Sequence, residues 1–136
     1  MTEITLEAAV NNIPALIAFV DGELEKIGCP MRSQMQIDIA VDEVFSNIAF
    51  YAYTPGTGDA RILFDYDDAA GTVSITFLDK GIPYNPLKNK DPDVTLSAEE
   101  RKIGGLGIFM VKKSMDEMLY EYRDGQNMLT LRKRIR

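Results

Sequence analysis

Ile37-Asp38-Ile39-Ala40-Val41-Asp42-Glu43-Val44-Phe45-Ser46-Asn47-Ile48 is the stretch from which the rest of the chain can be read. At about 100° per residue, Ile37, Val41, Val44, Phe45, Ile48 and Ala52 fall on one apolar stripe, the pattern of a helix with one face against a core. Ser33 can cap this helix, which is expected to run to about Tyr53. Glu43 and Asn47 are one turn apart, so they share a face beside the stripe. No Lys or Arg lies three or four residues from Glu43 to pair with it.

Outward from this helix the pattern changes period. Residues 2–7 alternate as a short strand, with Ile4 and Leu6 on one face. Asn11 or Asn12 can cap a helix opening near Pro14, and Gly28 is a natural stop for it. Pro55-Gly56-Thr57-Gly58 breaks the chain after the second helix. Residues 60–67 and 72–78 read as strands joined by a turn around Asp68 to Gly71. From Asp79 to Ile103 no regular pattern persists. A connection longer than about 12–15 residues is usually functional or disordered. Gly104-Gly105-Leu106-Gly107 opens a third helix, expected to reach about Met118. Residues 118–124 and 127–135 form a closing hairpin around Asp124-Gly125. The order β-α-α-β-β-loop-α-β-β lacks the alternation of a doubly wound sheet. It predicts an α/β two-layer sandwich of the α+β class: a mixed, largely antiparallel sheet of about five strands with three helices on one face. With 136 residues the expectation is a single domain over 1–136, large enough for a real core.

Composition removes whole classes of chemistry. The chain has no histidine, which excludes Ser-His-Asp and Cys-His hydrolysis, the usual zinc sites and a histidine phosphoacceptor. No Gly-Lys pair occurs, so there is no Walker A loop. A net charge of -6 argues against nucleic-acid binding. The basic cluster Arg132-Lys133-Arg134 with Arg136 reads as a solvated last strand. The single cysteine, Cys29, can form no intrachain disulfide and reads as a buried inert thiol. The longest apolar run, Ile13 to Val20, contains Pro14 and is too short to span a bilayer. No signal peptide is evident. These features together predict a cytoplasmic protein without membrane contact.

Three features can carry chemistry. Asn47 offers a hard oxygen ligand without adding charge, and Glu43 can orient a hydroxyl or water, so the pair suits Mg²⁺ and a proton. A solvated helix edge gives the same spacing. Asp79-Lys80-Gly81 follows a strand; a carboxylate there can accept the exocyclic amine of adenine, and Gly81 lets the backbone approach closely. A plain turn also reads Asp-x-Gly. Gly104-Gly105-Leu106-Gly107 can turn backbone N–H groups toward an anion at a helix start. Arg101 and Lys102 just before it can reach phosphates, or stay solvated. In this order the segments would supply Mg²⁺, adenine and phosphate contacts, with the loop at about 82–103 as a lid.

At these residues the chain resembles the Bergerat-fold (GHKL, histidine-kinase-like) ATPases, most closely the anti-sigma-factor serine/threonine kinases. The resemblance runs from about residue 5 to 134. Glu43 to Asn47 is similar to the N box, Asp79-Lys80-Gly81 to the first glycine box, and Ile103 to Val111 to the second. It implies ATP and Mg²⁺ as cofactors, Glu43 as catalytic base and Asn47 as metal ligand. Asp79 and Gly81 would bind adenine. Gly104, Gly105, Leu106 and Gly107 would hold the phosphates, with Gly105 and Gly107 as the cradle. It further implies phosphorylation of a small STAS-domain antagonist in a partner-switching circuit, a sigma factor as a second partner, and a homodimer. The alternative is a non-catalytic module that binds a sigma factor or another regulator under nucleotide control. The chain departs from the pattern at Tyr51, where relatives often carry histidine. It departs also at Pro83, where many have glycine, and at Asn85, where the kinases have an acid.

Overall fold

The computed structural model describes residues 1–88 and 105–136. Strand β1 (Thr2–Glu7) leads into helices α1 (Ile13–Lys26) and α2 (Met31–Tyr51). Strands β2 (Asp59–Asp67) and β3 (Thr72–Asp79) follow, then helix α3 (Gly105–Ser114) and the hairpin β4 (Glu117–Arg123) and β5 (Gln126–Arg134). The sheet order is β1-β2-β3-β5-β4. Every strand pairing among the described residues is antiparallel, so the sheet expected to be mixed but largely antiparallel is uniformly so there. The reason is topological: hairpins join β2 to β3 and β4 to β5, and β1 and β5 each run against the neighbour they meet.

The core lies between the helices and one sheet face. Alternation puts Ala60, Ile62 and Phe64 of β2, Val73, Ile75 and Phe77 of β3, and Leu129 and Leu131 of β5 on that face. Leu16, Val20 and Leu24 of α1 and the α2 stripe Ile37, Val41, Val44 and Phe45 cover it. Phe45 and Phe77 are fully buried, and truncating either to alanine costs about 3–5 kcal/mol. On the opposite face the pattern turns polar, and the Thr76 and Thr130 hydroxyls bond across β3 and β5 at 3.1 Å.

Local chemistry sets the element ends. Gly28 takes φ 67°, its N–H bonds Glu25 O, and the Cys29 N–H bonds Leu24 O, a double closure that terminates α1. The expected Ser33 cap of α2 is corrected: the helix opens at Met31 with Pro30 before it. The Pro30 carbonyl accepts the Gln34 N–H at 2.9 Å, and proline has no side-chain acceptor, so no side-chain cap forms. Helix α3 stops at Ser114 instead of about Met118. There the Asp116 N–H is taken by Arg132 O, and its carboxylate by the Arg134 N–H, which starts β4 early.

The basic tail proves to be structural. Lys133 Nζ donates to Ser114 O at the C-terminus of α3, at 2.7 Å. The Arg136 guanidinium donates to Ile27 O and Gly28 O beyond α1 and to the Tyr66 hydroxyl. Cations at helix C-termini satisfy orphan carbonyls and oppose the helix dipole. Cys29 is half-buried, and that burial pushes its thiol pKa up, in keeping with an inert side chain.

Candidate functional site

The last turns of α2 carry Val44, Asn47, Ile48, Tyr51 and Ala52 toward the ends of β3 and β5. Between them opens a cleft of about 480 Å³, counting the open space at its mouth. Phe77 and Leu129, register partners on β3 and β5, contribute to its wall. Ile82, Tyr84 and Pro86, Ile108 of α3 and Tyr120 of β4 complete it.

One carboxylate breaks this apolar lining. Asp79, the last residue of β3, is only 5% exposed. Its Oδ1 accepts the Gly81 N–H at 2.9 Å, the turn that an aspartate two residues ahead favours. The same oxygen accepts Asn127 Nδ2 at 2.9 Å. Oδ2 takes neither of these bonds. Burial pushes the Asp79 pKa up, while the bonds from Asn127 and Gly81 pull it back down.

Gly81 is tightly constrained. A Cβ there would sit 2.3 Å from Ala52 O, because the strap leaving β3 crosses the end of α2 and the Ile82 N–H bonds that carbonyl at 2.9 Å. The close approach that requires glycine is therefore to α2. Tyr53 reinforces the crossing: its hydroxyl donates to Asp59 O at 2.6 Å and accepts the Lys80 N–H at 2.8 Å.

Asn47 lines the cleft, and its Nδ2 is buried without a partner. One turn earlier, Glu43 is half-buried with its carboxylate against Gly107 in the first turn of α3. A Cβ at 107 would lie 1.7 Å from Glu43 Oε1. Burial raises the Glu43 pKa, with the neighbouring Asp42 charge adding to it. The structure thus brings Asn47, Asp79 and Ile108 onto one cleft and seats Glu43 where α2 meets α3. Gly105, Leu106 and Gly107 form the first turn of α3. Arg101, Lys102, Gly104 and the expected lid beyond residue 88 lie outside the described residues. Residues 82–88 leave β3 as a strap with one short helical turn at Pro86–Lys88.

The sequence of the family described as the histidine kinase-like ATPase domain matches this chain over residues 6–133. The chain belongs to that family. Among relatives of this ATPase domain, the serine/threonine-protein kinase BtrW of Bordetella bronchiseptica is 31% identical over 100 residues, covering 74% of this chain and 70% of BtrW. The serine-protein kinase RsbW of Bacillus mycoides is 24% identical over 132 residues, covering 93% and 81%. A crystal structure of the RsbU and RsbW domains of Rv1364c from Mycobacterium tuberculosis superposes with a TM-score of 0.64 at 16% identity. It covers 99% of this ATPase domain, which spans 33% of that longer chain, and it shows a shared fold. No helix among the described residues is long and apolar enough to cross a membrane.

Asn127 is a cleft residue that sequence reasoning missed. It is 6% exposed, and with Asp79 it makes up the buried polar side chains among the described residues. Tyr53 was missed as well. An asparagine that opens the strand 127–135 just after an Asp-Gly turn carries no local sign of a site, and only its register opposite Asp79 marks it.

Proposed function

We infer that this chain is a serine/threonine protein kinase that transfers the γ-phosphoryl group of Mg·ATP to a small protein partner. The observation that carries the reading is the meeting of three distant segments. Asn47 of α2, Asp79 at the end of β3 and Ile108 of α3 line one largely apolar cleft. Such a cleft suits a flat base, and a single buried carboxylate at its wall suits the adenine amino group. Guanine would present an oxygen to the same carboxylate, leaving acceptors opposed at a cost of about 1–3 kcal/mol. The kinase names of BtrW and RsbW support the reaction class.

The residues present fit a magnesium ion. Among the described residues no three acidic, cysteine or histidine side chains gather into a metal cluster. Magnesium with nucleotides commonly uses one or two protein ligands plus phosphate oxygens. Asn47 has a buried amide without a protein partner at its Nδ2 end, and a rotation about its last bond exchanges nitrogen and oxygen. Asn47 would hold the ion, which supplies charge neutralisation to the phosphates when bound. Glu43, one turn away with a raised pKa, would accept the proton of the attacking serine hydroxyl. Gly105, Leu106 and Gly107 at the start of α3 would direct backbone N–H groups at phosphate oxygens, joined by Gly104, Arg101 and Lys102. Phosphoryl transfer needs mostly positioning and charge stabilisation, so few groups suffice.

The partner we assign is a STAS-domain antagonist within a partner-switching circuit that also engages a sigma factor. The test pairs Glu43→Gln with a STAS-domain protein encoded beside this chain and γ-labelled Mg·ATP. Wild type labels a serine; the variant binds ATP equally well and labels it at least about 100-fold more slowly. Equal labelling by the variant removes Glu43 from the reaction. Labelling by neither, with ATP bound by both, would favour a nucleotide-controlled binding module.

A further inference from the structure

Asn127 has its hydrogen-bonding capacity filled by four residues, from β3, the 82–88 strap and β4. Nδ2 donates to Asp79 Oδ1 and to Ile82 O, each at 2.9 Å. Oδ1 accepts the Tyr84 N–H at 3.1 Å and the Tyr120 hydroxyl. The donors and acceptors around it admit one orientation of the amide only: two acceptors face the nitrogen and two donors face the oxygen. Two donors and two lone pairs are all an asparagine has, so nothing remains to bond a ligand.

We propose that Asn127 is a positioning residue that sets base selectivity by holding the Asp79 carboxylate in one orientation, with a single oxygen toward the cleft, and that it ties this carboxylate to the root of the 82–88 strap. The inference rests on the nucleotide-binding reading above. With Nδ2 and the Gly81 N–H both on Oδ1, the carboxylate cannot turn about its last bond, and Oδ2 is the oxygen left to a base amino group. The same amide grips Ile82 and Tyr84, both of which line the cleft. A base that displaces Asp79 therefore disturbs the strap, and a base that accepts its geometry leaves the strap in place. A buried network of this kind is stable only when every member is satisfied, and here all four bonds are made.

Because Asn127 acts through Asp79, its effect on selectivity must vanish when Asp79 is altered. The experiment measures Kd for Mg·ATP and Mg·GTP in wild type, Asn127→Leu, Asp79→Asn and the double variant, with thermal melts to confirm folding. The ATP-over-GTP preference is expected to fall at least about tenfold in Asn127→Leu, the scale of one lost bond to a charged group. In the Asp79→Asn background the same change should move the preference less than about twofold. If the leucine variant does not fold, Asn127→Ser is read instead, with a fall of at least about fivefold expected. A preference unchanged in the position-127 variant, with both nucleotides weakened alike, overturns the inference. So does an equal fall in both backgrounds. Wild type that binds neither nucleotide refutes the underlying reading instead.

Discussion

Replacing Gly107 with alanine sets a gain in helix stability against the loss of a functional geometry. An alanine in a helix is favoured over glycine by up to about 1 kcal/mol, and less in the first turn. Its Cβ, however, would fall 1.7 Å from Glu43 Oε1, 2.1 Å from Cδ and 2.8 Å from Cγ. No small adjustment absorbs overlaps of that size, so the Glu43 side chain must leave its place. Its rotation costs about 0.5–1.5 kcal/mol, which offsets the helix gain. Net stability should therefore change by less than about 1 kcal/mol, or about 4 °C in Tm. The carboxylate moves into solvent and loses the burial that raises its pKa. NMR titration of the Glu43 side-chain carboxyl should then show a lower pKa in Gly107→Ala than in wild type. A displaced base should slow phosphoryl transfer about 100-fold when ATP is saturating. A folded variant in which Glu43 titrates as in wild type and transfer keeps its rate would refute the packing of α3 on Glu43 and the role given to that carboxylate.

Two further outcomes follow from other parts of the structure. Asp21 of α1 and Asp38 of α2 each bury an Oδ1, and a proton held on Asp38 would bond Asp21. Burial first, then the bond and charge of Asp21, push the Asp38 pKa up to about 7. The folded state holds this proton more tightly than the unfolded state, so its stabilisation is complete at low pH and is lost as pH rises through about 7. Solvent screening at this partly exposed pair reduces the effect to about 1–2 kcal/mol. Thermal melts at pH 5 and pH 8 should show wild type losing more stability than Asp38→Asn, whose amide carries its donor at every pH; equal losses would contradict the shared proton. Asn47→Ala should leave metal-free ATP binding within about twofold of wild type and remove at least about tenfold of the gain that added Mg²⁺ gives. An undiminished magnesium effect, measured by calorimetry against a chelator-treated control, would exclude Asn47 as a ligand.

The sequence made the layered fold legible wherever side-chain period met a turn. The stripe from Ile37 to Ala52 marked α2, and the alternation of Val73, Ile75 and Phe77 marked β3. Glu43, Asn47, Asp79 and the glycines at 105 and 107 were legible as candidates because their spacing and turn chemistry are local. Asn127 was hidden because its partners lie 48, 45, 43 and 7 residues away. Nothing in one short strand announces them. Gly81 and Gly107 read as ligand-facing glycines, yet the atoms a Cβ would strike belong to Ala52 and Glu43. The end of α3 was misjudged because Met115 and Met118 continue a helical period, while the bonds that stop it come from β5. Arg136 read as a solvated charge because its helix-capping role depends on tertiary contact with residues about 108 positions earlier.

The measurement closest to the central claim is calorimetric titration of wild type and Asp79→Asn with Mg·ATP and Mg·GTP. In the variant, the Gly81 N–H and Asn127 Nδ2 hold the amide oxygen at the Oδ1 position, so an NH₂ group faces the cleft where an acceptor stood. Wild type should bind ATP with a Kd near the micromolar range, about -8.2 kcal/mol, and prefer it to GTP by at least about tenfold. The variant should lose at least about tenfold in ATP affinity and gain relative affinity for GTP. Wild type that binds neither nucleotide, or a variant that binds ATP as wild type does, would contradict the account.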